Sequence, residues 1–192
     1  MDNLINLLEE NLQSNKSFDI CKREIIKNHN KITIYYITGL CDLIQIENIL
    51  QIISIKDFDD INSIIPHPQI EISNDISDIT TKILRGLMVL IYDKCYIIDV
   101  RNYPTRGISE PDAEKVVRGS KDGFSENIIV NTALIRRRII SKELRFKMFD
   151  IGEDSKTNVC LVYMNNKIEK KLLNEIVIRL HNIKTNNLIM TD

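Results

Sequence analysis

The chain has 192 residues, 43% of them hydrophobic, and a formal net charge of −1. That hydrophobic share supports a buried core and excludes wholesale disorder, while near-neutral charge gives no general attraction to nucleic acid or an anionic membrane surface. No run approaches the ~18–20 apolar residues of a membrane-spanning helix; the longest, 86–100, is broken by Asp93 and Lys94.

The first predicted element is a helix near 2–12, with Leu4, Leu8 and Leu12 beside Ile5 on one face and Asp2 placed as its N-cap. Residues 17–26 alternate as a strand does, 27–31 carry turn chemistry in Lys-Asn-His-Asn-Lys, and 31–39 are β-branched and aromatic. A second helix follows over 42–53, with Asp42 as cap and apolar residues at 43, 46, 49, 50 and 53. An acidic stretch stiffened by Pro66-His67-Pro68 is expected to be a linker. Beyond it come a helix over 77–84 ended by Gly86 and a hairpin around Asp93-Lys94, whose apolar strands predict burial on both faces. The C-terminal part reads as a helix over 127–140, a strand over 143–151 with Leu144, Phe146 and Met148 on one face, a turn at 152–156, a strand over 158–164 and a helix over 168–183.

The order helix, strand, strand, helix thus occurs twice. A shift of 127 places Ile32, Ile34 and Tyr36 on Val159, Leu161 and Tyr163, and Ile46, Ile49, Leu50 and Ile53 on Leu173, Ile176, Val177 and Leu180. The expected fold is α+β, a mixed α/β arrangement of two small subdomains, each with helices on a mostly antiparallel sheet. The expected divisions are an αββα subdomain over 1–56, a linker over 57–75, a larger subdomain over 76–185 and a tail over 186–192.

Between the last two predicted strand pairs lies a stretch of unusual chemistry, DVRNYPTRGISEPDAEKVVRGSKDGFSENIIVNTALIRRR, at 99–138. Arg101 ends a buried strand, Pro104 holds Tyr103 extended, and Gly107, Gly119 and Gly123 permit turns. Residues 110–118 are compatible with a short helix, and Ser125 is placed as the cap of the helix that follows. A loop of about 23 residues inside a compact domain is either functional or disordered, and its balanced charges and apolar residues favour order. The segment Arg118–Gly123 (RGSKDG) lacks the spacing of a phosphate loop. The three arginines at 136–138 point in different directions on a helix and read as a solvated or interface face. Cys21, Cys41, Cys95 and Cys160 form no CxxC pair and read as buried free thiols of a reducing compartment. His29, His67 and His181 are scattered, so neither a metal site nor a cofactor is expected, and no catalytic constellation is visible.

The same stretch resembles the signature of the A subunit of bacterial spore germinant receptors, the GerA family of spore germination proteins. The matching residues are Arg101, Tyr103-Pro104, Arg106, Glu110-Pro111, Glu114, Arg118-Gly119, Gly123-Phe124, Glu126-Asn127 and Arg136-Arg137-Arg138. The Tyr-x-x-Gly segment at 36–39 and its counterpart at 163–166, with Asn166 in place of glycine, resemble two boundary turns of that family. The resemblance implies a cytosolic N-terminal domain, on the spore-core side of the inner spore membrane, attached to a C-terminal membrane domain that this chain does not contain. It implies B and C receptor subunits and other A protomers as partners, no nucleic acid, and no catalysis. Under it, the matching residues form a coupling or assembly surface in nutrient-triggered germination. The alternatives are a two-lobed sensor that binds the germinant between its units and an enzyme that uses Arg118–Gly123 on a phosphorylated substrate.

Overall fold

The computed structural model describes residues 1–27, 30–56, 60–104 and 123–188. The short helix expected over 110–118, the turn residues Asn28 and His29, and the acidic start of the expected linker lie outside the described residues.

The fold is mixed α+β, and the described residues form five α-helices, a five-stranded antiparallel sheet and a two-stranded hairpin. Helix α1 (Asp2–Leu12) buries Ile5, Leu8 and Leu12, and leads to β1 (Ile20–Lys27) and β2 (Asn30–Ile37), which pair from Ile20–Ile37 to Lys27–Asn30. Asp2 is not the cap predicted for α1: the N-cap is Met1, Asp2 is the first helical residue, and its carboxylate sits in the first turn, at the positive end of the helix dipole. Helix α2 (Leu43–Ile55) has the predicted cap, since Asp42 accepts hydrogen bonds from the Ile44 and Gln45 amides.

The chain between α2 and the next helix contributes to the core. Ile61 and Ile65 are buried, and β3 (Ile70–Ile72) forms the far edge of the sheet against β5. Helix α3 (Ile76–Leu84) is capped by Asp75 and leads through Gly86 into β4 (Met88–Ile91) and β5 (Cys95–Ile98), whose residues are all buried, as their apolar runs require. Strand order is β1-β2-β4-β5-β3, so β2 joins β4 through Thr33–Ile91, Ile34–Leu90 and Tyr35–Val89.

Alternation along these strands divides the core in two. On one face Tyr35, Ile37, Val89 and Ile97 pack with Leu8 and Leu12 of α1 and Ile79 and Ile83 of α3. On the other, Ile32, Ile34, Leu90 and Ile98 pack with Ile46, Ile49 and Ile53 of α2. Each such side chain stabilises the fold by about 1.5–3 kcal/mol relative to exposure, so helices on both faces hold the central strands in register.

Beyond the signature stretch come α4 (Ile128–Arg138), β6 (Leu144–Ile151), β7 (Thr157–Met164) and α5 (Lys170–His181). The internal repeat is visible in the element lengths: 11, 8, 8 and 13 residues in the first unit, 11, 8, 8 and 12 in the second. A shift of 127 brings Asn30 onto Thr157 and Leu43 onto Lys170, whereas the first strands align at 124, Ile20 on Leu144. Five residues separate β6 from β7 but two separate β1 from β2, and this difference of three accounts for the change of offset. The same hydrogen bonds close both units: Thr38 N–H to Asp19 C=O and Asn165 N–H to Glu143 C=O, each 2.8 Å, then Leu40 to Ile37 and Lys167 to Met164. The second turn therefore forms without glycine, and Asn166 keeps negative φ.

One strand departs from its expected pattern. Leu144 and Phe146 are buried but Met148 is only half-buried, while Arg145, Phe149 and Ile151 on the opposite face are buried. Both faces of β6 are covered: Phe146 meets Phe18 edge-on, with 6.1 Å between ring centroids, and Phe149 meets His181 of α5 at 5.3 Å.

Candidate functional site

The two ends of the 99–138 stretch converge on the junction between the units. At the first end, the chain leaving β5 is tied to the start of α2: the Asp42 amide donates to Val100 C=O and the Asn102 amide to Leu40 C=O, each 2.8 Å. Arg101 Nε donates to Asp99 Oδ1 at 2.7 Å, and this charged bond holds the Asp99 carboxyl below its ordinary range. Tyr103 OH donates to Arg85 C=O at 2.8 Å. Two cations lie over the Tyr103 ring, with Arg101 Cζ 5.9 Å and Arg137 Cζ 4.8 Å from its centroid. Each such contact contributes about 0.5–1 kcal/mol when exposed, so Tyr103 joins the two ends of the stretch.

Since Asp99 is depressed, the pair contributes stability above the carboxylate's unfolded value of 3.8, and this is lost as pH falls through the folded value. With Arg101 more than a third exposed, the contribution is under about 1 kcal/mol. The difference in urea stability between wild type and Arg101→Met is expected to hold at neutral pH and to shrink as pH falls from 3.8 through the lowered folded value.

At the second end, Asn127 caps α4 by accepting from the Ile129 and Val130 amides; the predicted cap, Ser125, lies two residues outside. Ser125 instead exchanges hydrogen bonds with the Asn131 side chain, its N–H donating at 2.8 Å and its C=O accepting at 2.7 Å, which fixes the approach to the helix. Asn127→Ala is expected to lower stability by about 1 kcal/mol, read from a urea midpoint shift at unchanged m-value. Gly123 is half-exposed, Glu126 exposed and Phe124 68% exposed.

The arginine triplet does not form one solvated face. Arg138 and Arg137 are exposed, but Arg136 is fully buried. Its Nε donates to Asp19 Oδ2 at 2.7 Å and Nη2 to Asp19 Oδ1 at 3.2 Å, a two-pronged pair. Nη1 and Nη2 also donate to the carbonyls of Ser141 and Leu144, at 2.8 and 3.1 Å, and Phe146 lies 5.0 Å from Cζ. Asp19 accepts a further bond from Ser17 Oγ at 2.6 Å, and Ser17 Oγ in turn accepts from the Phe146 amide at 3.0 Å. Arg145 is buried close by, donating to Gln13 Oε1 and to the carbonyls of Lys142 and Leu144; burial lowers its pKa. Gly39 completes the junction: an added Cβ would lie 3.0 Å from Ala133 Cβ and Ile129 Cγ2, because α4 rests on the backbone of the first unit's boundary turn.

Sequence reasoning missed Ser17, Asp19 and Arg145. The one available signal was an aspartate between Phe18 and Ile20 at the mouth of an apolar strand. Arg106, Glu110, Pro111, Glu114, Arg118 and Gly119 lie outside the described residues, and Pro104 is half-buried beside Tyr103. Cys41 and Cys95 are buried, with burial raising both thiols to about 12, while Cys21 and Cys160 are half-buried. No group of three or more metal-ligating side chains occurs among the described residues.

Residues 6–192 match the family model described as Bacillus/Clostridium GerA spore germination protein. The chain belongs to the GerA family. It is 37% identical to stage V sporulation protein AF of Bacillus subtilis, over 92% of this chain and 38% of that protein. It is 32% identical to spore germination protein GerQA of Bacillus cereus, over 98% of this chain and 40% of that protein. The chain thus spans about two fifths of the length of these GerA relatives. Its fold is that of the N-terminal domain of the A subunit of the Bacillus megaterium spore germinant receptor GerK3. The TM-score is 0.66 at 23% identity, covering 94% of this chain and 70% of that one. Among the described residues, no helix of this GerA chain is long and apolar enough to cross a membrane.

Proposed function

We propose that this chain serves as the N-terminal domain of a germinant-receptor A subunit, on the spore-core side of the inner spore membrane, in assembly or signal coupling rather than catalysis. The observation that carries the reading is the convergence of both ends of the signature on the junction between the two αββα units. Arg101 and Tyr103 come from one end, and Arg136 and Arg137 from the other. Dense, fixed charge of this kind holds surfaces in one geometry; exposed pairs contribute little stability. The full signature is Arg101, Tyr103, Pro104, Arg106, Glu110, Pro111, Glu114, Arg118, Gly119, Gly123, Phe124, Glu126, Asn127 and Arg136–Arg138. Its surface-directed part would meet B and C subunits or other A protomers, with the membrane reached through the part of the relatives' length not spanned here.

The test is nutrient-triggered germination of spores carrying Arg101→Ala, Glu110→Ala or Arg118→Ala in the full-length protein, with its level checked by immunoblot. At least a tenfold slower response at normal protein level is expected. Normal germination by all three variants would sink the coupling role. A cleft of about 450 Å³ beside β6 and α5, lined by Lys147, Phe149, Asp150, Glu153 and His181, favours small-ligand sensing as the second reading. Calorimetric binding of amino acids at this cleft, lost in Asp150→Ala, would move the domain from coupling to sensing.

A further inference from the structure

The two units share their element order but not their completeness. In the first, the outer edge of β2 pairs with β4, and α2 closes over β2, β4 and β5. In the second, β6 and β7 form a sheet of two strands, with no further strand on the outer edge of β7 among the described residues.

Burial follows this difference position by position. On the first helix Ile46, Ile49, Leu50 and Ile53 are all at most 8% exposed. Their counterparts on α5 at the 127 shift, Leu173, Ile176, Val177 and Leu180, are only half-buried, and α5 buries no residue fully. On the strands, Ile32, Thr33, Ile34 and Tyr35 are at 0%, whereas Val159, Cys160, Leu161 and Val162 are half-buried. The second unit therefore carries the apolar pattern of a closed core without the strands that close it. A two-stranded hairpin with an apolar face and an open edge is marginal on its own.

We propose that a further apolar β-hairpin of the same polypeptide completes this unit. It would pair antiparallel with β7 as β4 pairs with β2 and slide under α5 as β4–β5 lie under α2. Two observations favour this source over a second copy. In the first unit the closing strands come from the same chain, beginning 33 residues after α2 ends, Ile55 to Met88. The GerA relatives have the length to supply such a hairpin, and even the solved N-terminal domain extends beyond the part matched here, which is 70% of it. The expected occupant is two runs of four to five consecutive apolar residues around a tight turn, since β4 and β5 are buried on both faces.

Cys160 is the reporter, because it lies on β7 at the position equivalent to Thr33, which pairs with Ile91 of β4. The native full-length protein in detergent, in a Cys21→Ser background, is labelled at Cys160 with benzophenone maleimide, irradiated and digested. Hydrogen exchange of 157–164 is measured beside it, on that protein and on the 192-residue chain. The expected result is a cross-link to a peptide of the same polypeptide beyond residue 192. Exchange over 157–164 should also be at least 100-fold slower in the full-length protein than in the 192-residue chain. A cross-link to a second copy or to a separate protein overturns the proposal. So does rapid exchange in both forms, or a native reading frame with no apolar strand pair after residue 192. None of these outcomes depends on the coupling role, which germination of the signature variants tests separately.

Discussion

Asp19→Ala is expected to destabilise the protein by about 3–5 kcal/mol. Asp19 and Arg136 are almost wholly shielded from water, with side chains 2% and 0% exposed. Removing the carboxylate leaves a guanidinium in a low-dielectric site, and the Ser17 hydroxyl that donated to Asp19 loses its acceptor. Arg145, buried on the next strand, adds a second positive charge nearby, so nothing at the junction offsets the loss. Arg136→Lys is expected to cost nearly as much, because one ammonium cannot serve both carboxylate oxygens and the carbonyls of Ser141 and Leu144. The pair does not contribute that whole amount relative to an apolar core. Asp19→Leu combined with Arg136→Met should cost at least 1.5 kcal/mol less than the two single changes summed, on the order of couplings between contacting residues. It should still fall short of wild type, since the Ser141 carbonyl loses its arginine donor and the Leu144 carbonyl loses one of two. Urea denaturation of the four proteins checks this; single-variant losses under about 1 kcal/mol, or strict additivity, contradict the buried pair.

Gly39→Ala should destabilise by about 2–3 kcal/mol. Gly39 has φ +84°, where an L side chain is strained, and its Cβ would press into α4 through Ala133 and Ile129. Relief requires α4 to move, and α4 carries Arg136, so the substitution should also loosen the Asp19 contact. The counterpart in the second unit makes the control. Asn166 closes the same hydrogen-bonded turn with negative φ and is exposed, so Asn166→Ala should stay within about 0.5 kcal/mol of wild type. Thermal melts of the two variants side by side separate a conformational requirement from the general sensitivity of turns.

Much of the fold was legible because its cause is local. Alternating, β-branched or wholly apolar runs placed β1, β2, β4, β5, β6 and β7, helical apolar periods placed the five described α-helices, and Asp42 was found as a cap because it directly precedes an apolar-periodic run. Asp2 and Ser125 failed for a related reason. A cap depends on which amide is first left unbonded, and a shift of one or two residues reassigns it, to Met1 and Asn127. The second face of β6 was missed because alternation shows which residues share a side, but not whether the other side is covered. At the candidate site, the signature marked Arg101, Tyr103, Arg136 and Arg137, but not the aspartate that Arg136 holds. A helical wheel separates three consecutive arginines by about 100° each; it does not say which direction the core lies.

By itself the sequence determined the elements, the repeated αββα order and, through its dense signature, membership of the GerA family. Those properties reside in residues close together in the chain. Tertiary structure alone decided that Arg136 is buried, that its partner stands 117 positions away, and that Gly39 must admit α4. It also decided that one unit is closed by β4 and β5 while, among the described residues, the other has no strand on the outer edge of β7. The physical reason is that burial belongs to a place rather than to a residue type. A guanidinium written among two others looks solvated until a folded hairpin brings one carboxylate against one of them and excludes the water.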